Sequence, residues 1–193
     1  MFGQKIFCGK DKKNREIFIV QPETKNTALL VSWLNDAEVM RLLDPHAEKT
    51  DENKENIRLK EFQSSNQWCM WQITVEDVCV GAVWLHDIQF PEATAFTGIM
   101  IGNKNYWGDG IAAIVEQCVI KYAFSELNLE YLFAIIFEPN IASRRVFEKL
   151  GFKEYGIKPA AAFIDGKLYD GWEAVLSKKD WKNKNEQSAA NNR

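Results

Sequence analysis

The chain has 193 residues, 46% of them apolar and 12% aromatic. That is enough for one domain with a full core, and too apolar for disorder over most of its length. A net charge of −3 with both signs interspersed leaves no footprint for nucleic acid or an anionic membrane, so an anionic ligand has to be held by local geometry.

The cysteines at 8, 69, 79 and 118 form no C-x-x-C pair, and two histidines give no zinc spacing, so the expectation is a reduced, cytoplasmic protein with no metal. No segment reads as a signal peptide or as a membrane span. Residues 1–15 read as a polar, basic extension, and Glu16–Val20 as the first strand. Leu29, Leu30, Trp33 and Leu34 mark a helix from Thr24, and Asp36 caps a second one through residue 43. After the break at Asp44-Pro45 and a charged, turn-rich stretch, residues 55–62 form a helix with a thin apolar face. Residues 68–75, 78–85 and 93–101 have strand composition and joints short enough for an antiparallel meander.

The last of these strands ends at Ile101 and leads through a polar turn to Gly108 and Gly110. Ile111, Ile114, Val115, Cys118, Val119 and Tyr122 then follow at the spacing of one buried helix face. A helix start leaves its first N–H groups unpaired and carries about half a positive charge, which suits an oxyanion, and glycine lets it approach the backbone. Residues 131–137 form a nearly continuous apolar run, expected of a strand buried on both faces. Asn140 can cap the next helix and Gly151 can end it. Two strands then pair across Asp165-Gly166, and the Asn- and Lys-rich residues 182–193 are expected to be disordered.

Three motifs stand in order at the right intervals: Tyr106-Trp107-Gly108-Asp109-Gly110-Ile111-Ala112; Asn140 and Ser143 followed by Lys149-Leu150-Gly151-Phe152; and Gly166 with Asp170 in the last hairpin. On these the chain resembles the GNAT superfamily of acetyl-coenzyme-A-dependent N-acetyltransferases, especially the branch of ribosomal-protein N-terminal, spermidine and nucleotide-sugar acetyltransferases. The resemblance covers residues 16–181. It implies an α/β (α+β) fold: a mixed, mostly antiparallel sheet of about seven strands, helices on both faces, and a split between the strand ending at Ile101 and the one starting near Tyr131.

It also implies roles. The pyrophosphate of acetyl-coenzyme A would sit on the loop of Trp107, Gly108, Asp109, Gly110, Ile111 and Ala112, and its pantetheine arm would pair with Ile99, Met100 and Ile101 like an added strand. Asn140, Ser143 and Phe147 would face the arm and its thioester. Many members have a Tyr acid where this chain has Phe147, which leaves Ser143 as the nearest hydroxyl and the catalytic candidate. Many have a Glu base in the strand where this chain reads Ala95-Phe96-Thr97. Asp109 would put a negative charge beside the pyrophosphate unless it points away. Trp33, Trp84, His86 and Tyr169 are the acceptor-site candidates.

The implied reaction is direct acetyl transfer to a primary amine of a small molecule or a protein N-terminus, by a monomer or homodimer. Two other readings stand beside it. One is a non-catalytic acyl-coenzyme-A-binding module. The other is a dinucleotide-binding oxidoreductase, because Gly108-x-Gly110-x-x-Ala113 also fits a Gly-x-Gly-x-x-Gly/Ala fingerprint with Glu130 some twenty residues on.

Overall fold

The computed structural model describes residues 5–191. Eight strands form one sheet in the order β1-β2-β3-β4-β5-β6-β8-β7. They are β1 (Ile6–Lys10), β2 (Glu16–Val20), β3 (Cys69–Val75), β4 (Val78–Gln89), β5 (Thr94–Ile101), β6 (Tyr131–Phe137), β7 (Lys153–Ile164) and β8 (Lys167–Ser177). Every neighbouring pair is antiparallel except β5 and β6. The eighth strand is β1, inside the stretch expected to be an extension. Its Phe7 and Phe18 pair across the two strands with ring centroids 5.3 Å apart, and cross-strand aromatic pairs of this kind stabilise an edge hairpin.

The helices α1 (Thr27–Leu34), α2 (Ala37–Met40) and α3 (Glu52–Ser64) precede β3. Asp36 and Asp51 accept hydrogen bonds from the first free N–H groups of α2 and α3. The second helix is shorter than expected and the third longer, beginning at its acidic cap. Leu30, Trp33, Val39, Met40 and Leu59 of these helices pack on Cys79, Ala82 and Met100 of the sheet. The larger cluster holds Val115, Val119, Ile120, Ala123 and Phe124 of α4 (Ile111–Ser125) and Phe147 of α5 (Ile141–Leu150), packed with Ile17, Ile73, Val83, Leu132 and Ala174. Helices therefore lie on both faces. Each such large apolar side chain contributes about 1.5–3 kcal/mol on burial.

Two expectations are corrected. The run 131–137 alternates between buried Leu132, Ala134, Ile136 and a more open face, with Tyr131 47% and Ile135 37% exposed. The reason is placement: α1–α3 pack on β3, β4 and β5, and no residue of β6 joins that cluster. The C-terminal stretch expected to be disordered is helical as α6 (Lys178–Asn191). Ser177 Oγ accepts from Asp180 N–H at its start, and Trp181 packs against the core, 5.5 Å from Phe124 between ring centroids. Residues 192–193 lie outside the described residues. Among the described residues no helix is long and apolar enough to cross a membrane.

Candidate active site

The parallel pairing of β5 with β6 covers only Thr94–Phe96 against Tyr131–Phe133. Beyond Phe96 the two strands part, and the edge of β5 facing β6 has no strand partner. A cavity of about 520 Å³ opens beside it. Ile99, Met100 and Ile101 line it from β5; Trp107, Gly108, Gly110, Ile111 and Ala112 from the loop and the start of α4; Asn140, Ser143 and Phe147 from α5. The fold thus brings eleven of the twelve coenzyme candidates around one space, from β5, the loop that follows it, and α5 about thirty residues further on.

The glycine loop reaches its shape through left-handed residues. Gly108 has φ +80° and Gly110, the residue before α4, φ +86°, a region that penalises every residue with a Cβ. A Cβ on Gly108 would meet nothing within 4 Å, and Gly108 itself lines the cavity. The Trp107 indole N–H donates to the Ile101 carbonyl at 2.6 Å and folds the loop back on the end of β5. Asn140 Oδ1 accepts from Ser143 N–H at 3.1 Å, the helix cap, and Asn140 Nδ2 donates to the Leu42 carbonyl at 3.4 Å. The cap therefore also ties α5 to the chain after α2, where Leu42 and Leu43 roof the cavity. Ser143 Oγ makes no hydrogen bond among the described residues and borders the cavity. Phe147, 3% exposed, meets Phe152 edge-on at 4.9 Å.

Asp109 is the twelfth candidate and lies outside the lining. Its carboxylate turns to the β1–β2 hairpin, 2.9 Å from Lys13 Nζ and 2.6 Å from Arg15. Lys13 first, then Arg15, hold it below the usual carboxylate range. Its charge is neutralised by two cations that, like Asp109 itself, are not among the residues lining the cavity.

Sequence reasoning missed the contribution of that hairpin. The buried Asp11 carboxylate accepts from the N–H groups of Lys13 and Arg15, and Asn14 takes φ +63°, which makes a tight turn. The turn sets Lys12 at the cavity, its Nζ donating to the Gly108 carbonyl at 2.7 Å. Glu38 in α2 and Leu42 and Leu43 just after it were missed as well, since neither the start of the chain nor this short helix and its exit carries a motif.

The acceptor candidates separate. Trp33 is 7% exposed and lies flat on Gly102, where a Cβ would come within 2.1 Å of its ring. Trp84 covers Gly98 in the same way, 2.6 Å from such a Cβ. Both belong to the packing behind β5. Tyr169 lies under Lys167 Nζ, 4.6 Å from its ring centroid, in the terminal hairpin. His86 stacks between Trp68 and Phe96, at 5.1 and 5.4 Å, in a row of rings that continues through Phe133 to Tyr155. That row reaches the uncovered face beside the split.

A carboxyl does come near the place of the absent strand glutamate, from α4 rather than β5. Glu116 is fully buried, and its Oε2 accepts from Thr97 Oγ1 at 2.9 Å while Oε1 has no partner. Burial pushes its pKa up to about 8, so it is largely protonated at neutral pH, and it does not border the cavity.

The dinucleotide reading needs a strand running directly into the first glycine. Here a 3-10 turn at Lys104–Tyr106 intervenes, and the strand before it closes an antiparallel meander, with only three residue pairs parallel to β6.

Comparison with known proteins agrees with this geometry. The acetyltransferase (GNAT) domain family matches residues 16–153. The uncharacterized N-acetyltransferase YnaD of Bacillus subtilis is 23% identical over 167 residues, 86% of this chain and 96% of that one. The probable N-acetyltransferase YjcK of the same organism is 36% identical over 92 residues, 47% and 50% of the two chains. Among solved structures, spermidine N-acetyltransferase from Vibrio cholerae, in complex with CoA and spermine, superposes with a TM-score of 0.79 at 18% identity, covering 86% of this chain and 98% of that one. A GNAT-family acetyltransferase from Bacillus anthracis gives 0.72 at 20%, covering 93% and 99%. These likenesses carry the fold, and the family match runs through β2, the meander, the glycine loop and α5, so the chain belongs to the GNAT family of acetyltransferases.

Proposed function

We propose that the chain transfers an acetyl group from acetyl-coenzyme A to a primary amine, by direct attack of the amine on the thioester. One observation carries the reading: a bare glycine backbone at a helix start, a strand edge without a partner, and a free serine hydroxyl meet on one cavity. The residues suit that cosubstrate. Backbone N–H groups at the start of α4 offer donors to a pyrophosphate, and the edge of residues 97–101 offers strand-like pairing to an extended amide chain. Acetyl-coenzyme A supplies an acyl group on a thiol that ionises near pH 8–9. Ser143 Oγ then serves as donor to the departing sulfur, in the absence of a hydroxyl at 147. No acyl-enzyme is involved: both histidines stand apart from the cavity, so no nucleophile beside it has an imidazole to activate it. Positioning supplies much of the rate, since holding two reactants in register replaces an encounter in solution.

The acceptor enters from the uncovered face, past His86 and the row of rings. Amine acceptors are cationic until they lose a proton, and aromatic faces attract such cations. A small polyamine suits this entrance, a reading supported by the spermine-bound relative; a protein N-terminus is the other acceptor class. The four cysteines are free thiols, in keeping with a cytoplasmic setting. A panel of amines with acetyl-coenzyme A, followed by free-thiol release, tests the proposal. Turnover with at least one amine is expected. Coenzyme binding without turnover across the panel would favour a non-catalytic binding module instead.

A further inference from the structure

The β1–β2 hairpin carries four cations at its tip: Lys10, Lys12, Lys13 and Arg15. Three have carboxylate partners. Lys10 lies 4.0 Å from Glu16, Lys13 pairs with Asp109, and Arg15 pairs with both Asp11 and Asp109. Among the described residues Lys12 has none. Its ammonium rests on the Gly108 carbonyl at 2.7 Å and borders the cavity.

We propose that Lys12 is a phosphate ligand of the site, delivered to the glycine loop by the hairpin, and that Asp109 is the positioning residue that clamps the hairpin there. The inference rests on the coenzyme reading given above. Several contacts hold the clamp: Lys12 N–H donates to the Asp109 carbonyl at 3.2 Å, Lys13 and Arg15 hold the Asp109 carboxylate, and the Arg15 guanidinium lies 4.6 Å from the Tyr106 ring centroid. A lysine held at a carbonyl with no counter-charge lacks the stronger of its possible partners, and an anion arriving at Gly108 supplies it. The turn around Gly108 and Gly110 exposes backbone, and the Lys12 chain runs past Gly110, 3.6 Å from where a Cβ would stand. Backbone donors and the ammonium therefore converge on one place. The arrangement accounts for the acidic residue in the phosphate loop: Asp109 holds, from behind, the segment that brings the positive charge in front. The chemistry recognised is a diphosphate, because Lys12 touches the loop itself.

Calorimetric titration of the full chain with coenzyme A tests this. Lys12→Met is expected to raise the Kd about tenfold and to flatten its salt dependence, whereas Lys12→Arg restores most of both. Dephospho-coenzyme A, which keeps the diphosphate and lacks the ribose phosphate, should show the same loss. In an Asp109→Asn background the Lys12→Met effect should shrink to a few-fold at most, a coupling that a purely structural Asp109 would not produce. Wild-type affinity in a folded Lys12→Met protein overturns the assignment, and a loss that vanishes with dephospho-coenzyme A overturns the diphosphate as its target. A wild-type chain that binds no coenzyme A overturns the coenzyme reading itself, an outcome distinct from either.

Discussion

In the proposed function Gly110 and Ser143 act through opposite properties, one by having no side chain and the other by having a short polar one. Gly110 holds φ +86° immediately before α4, where a β-branched residue costs about 1–2 kcal/mol in backbone strain alone. Gly110→Val is therefore expected to weaken coenzyme binding at least tenfold while the chain still folds, read by titration beside a thermal melt. Unchanged affinity would remove the loop from the site. Ser143 lies one turn from Phe147 on the same side of α5, and both border the cavity. Loss of a transition-state hydrogen bond costs about ten- to a hundredfold. Ser143→Ala should lower kcat by that amount and leave coenzyme affinity nearly unchanged, whereas a residue that only positions the arm would raise KM and spare kcat. Steady-state kinetics at saturating acetyl-coenzyme A separates the two.

Between elements, the stitch of α4 to β5 through Glu116 and Thr97 has a pH signature. The folded chain keeps the Glu116 proton up to about pH 8, and the unfolded chain sheds it near 4.5. Stability from this group is thus complete below pH 4.5 and is lost as the pH rises toward 8. Glu116→Gln should melt higher than wild type by a margin that grows from pH 5 to 8, reaching at least about 3 °C at ~2–4 °C per kcal/mol. A margin independent of pH would mean that the carboxyl titrates normally. At this scale the sequence was legible wherever spacing carries structure: the meander, the glycine-started α4, the Asn140 cap and the Asp165-Gly166 hairpin all stand where periodicity and caps put them. It was not legible where partners in space decide. The composition of β1 reads as a polar arm until β2 pairs with it. α6 has almost no apolar stripe, and its first turn is fixed by the Ser177 cap and by Trp181 packing on Phe124 of α4, far back in the chain. Lys12 carries no motif, so only the docked hairpin shows where its charge goes.

The whole molecule is one continuous sheet joined at its centre by a short seam. β5 meets β6 over three residue pairs, whereas β6 meets β8 over seven. Backbone amides along the parted edges are the ones a strand-like ligand would satisfy. Hydrogen exchange should therefore slow at residues 97–101 when coenzyme A is added, with β3 and its pairing to β4 unchanged. Equal slowing across the sheet would point to general tightening instead.

Such an open edge carries a hazard and a selectivity together. Unpaired strand edges recruit other strands, which is how sheets aggregate. Here the edge faces inward, walled by the glycine loop and α5 and roofed by Leu42 and Leu43, with Asn140 bridging the roof to α5. The molecule thus keeps a strand vacancy at its heart whose own walls stand between it and the edges of other sheets, and the coenzyme arm of the proposed function is the strand that would complete it.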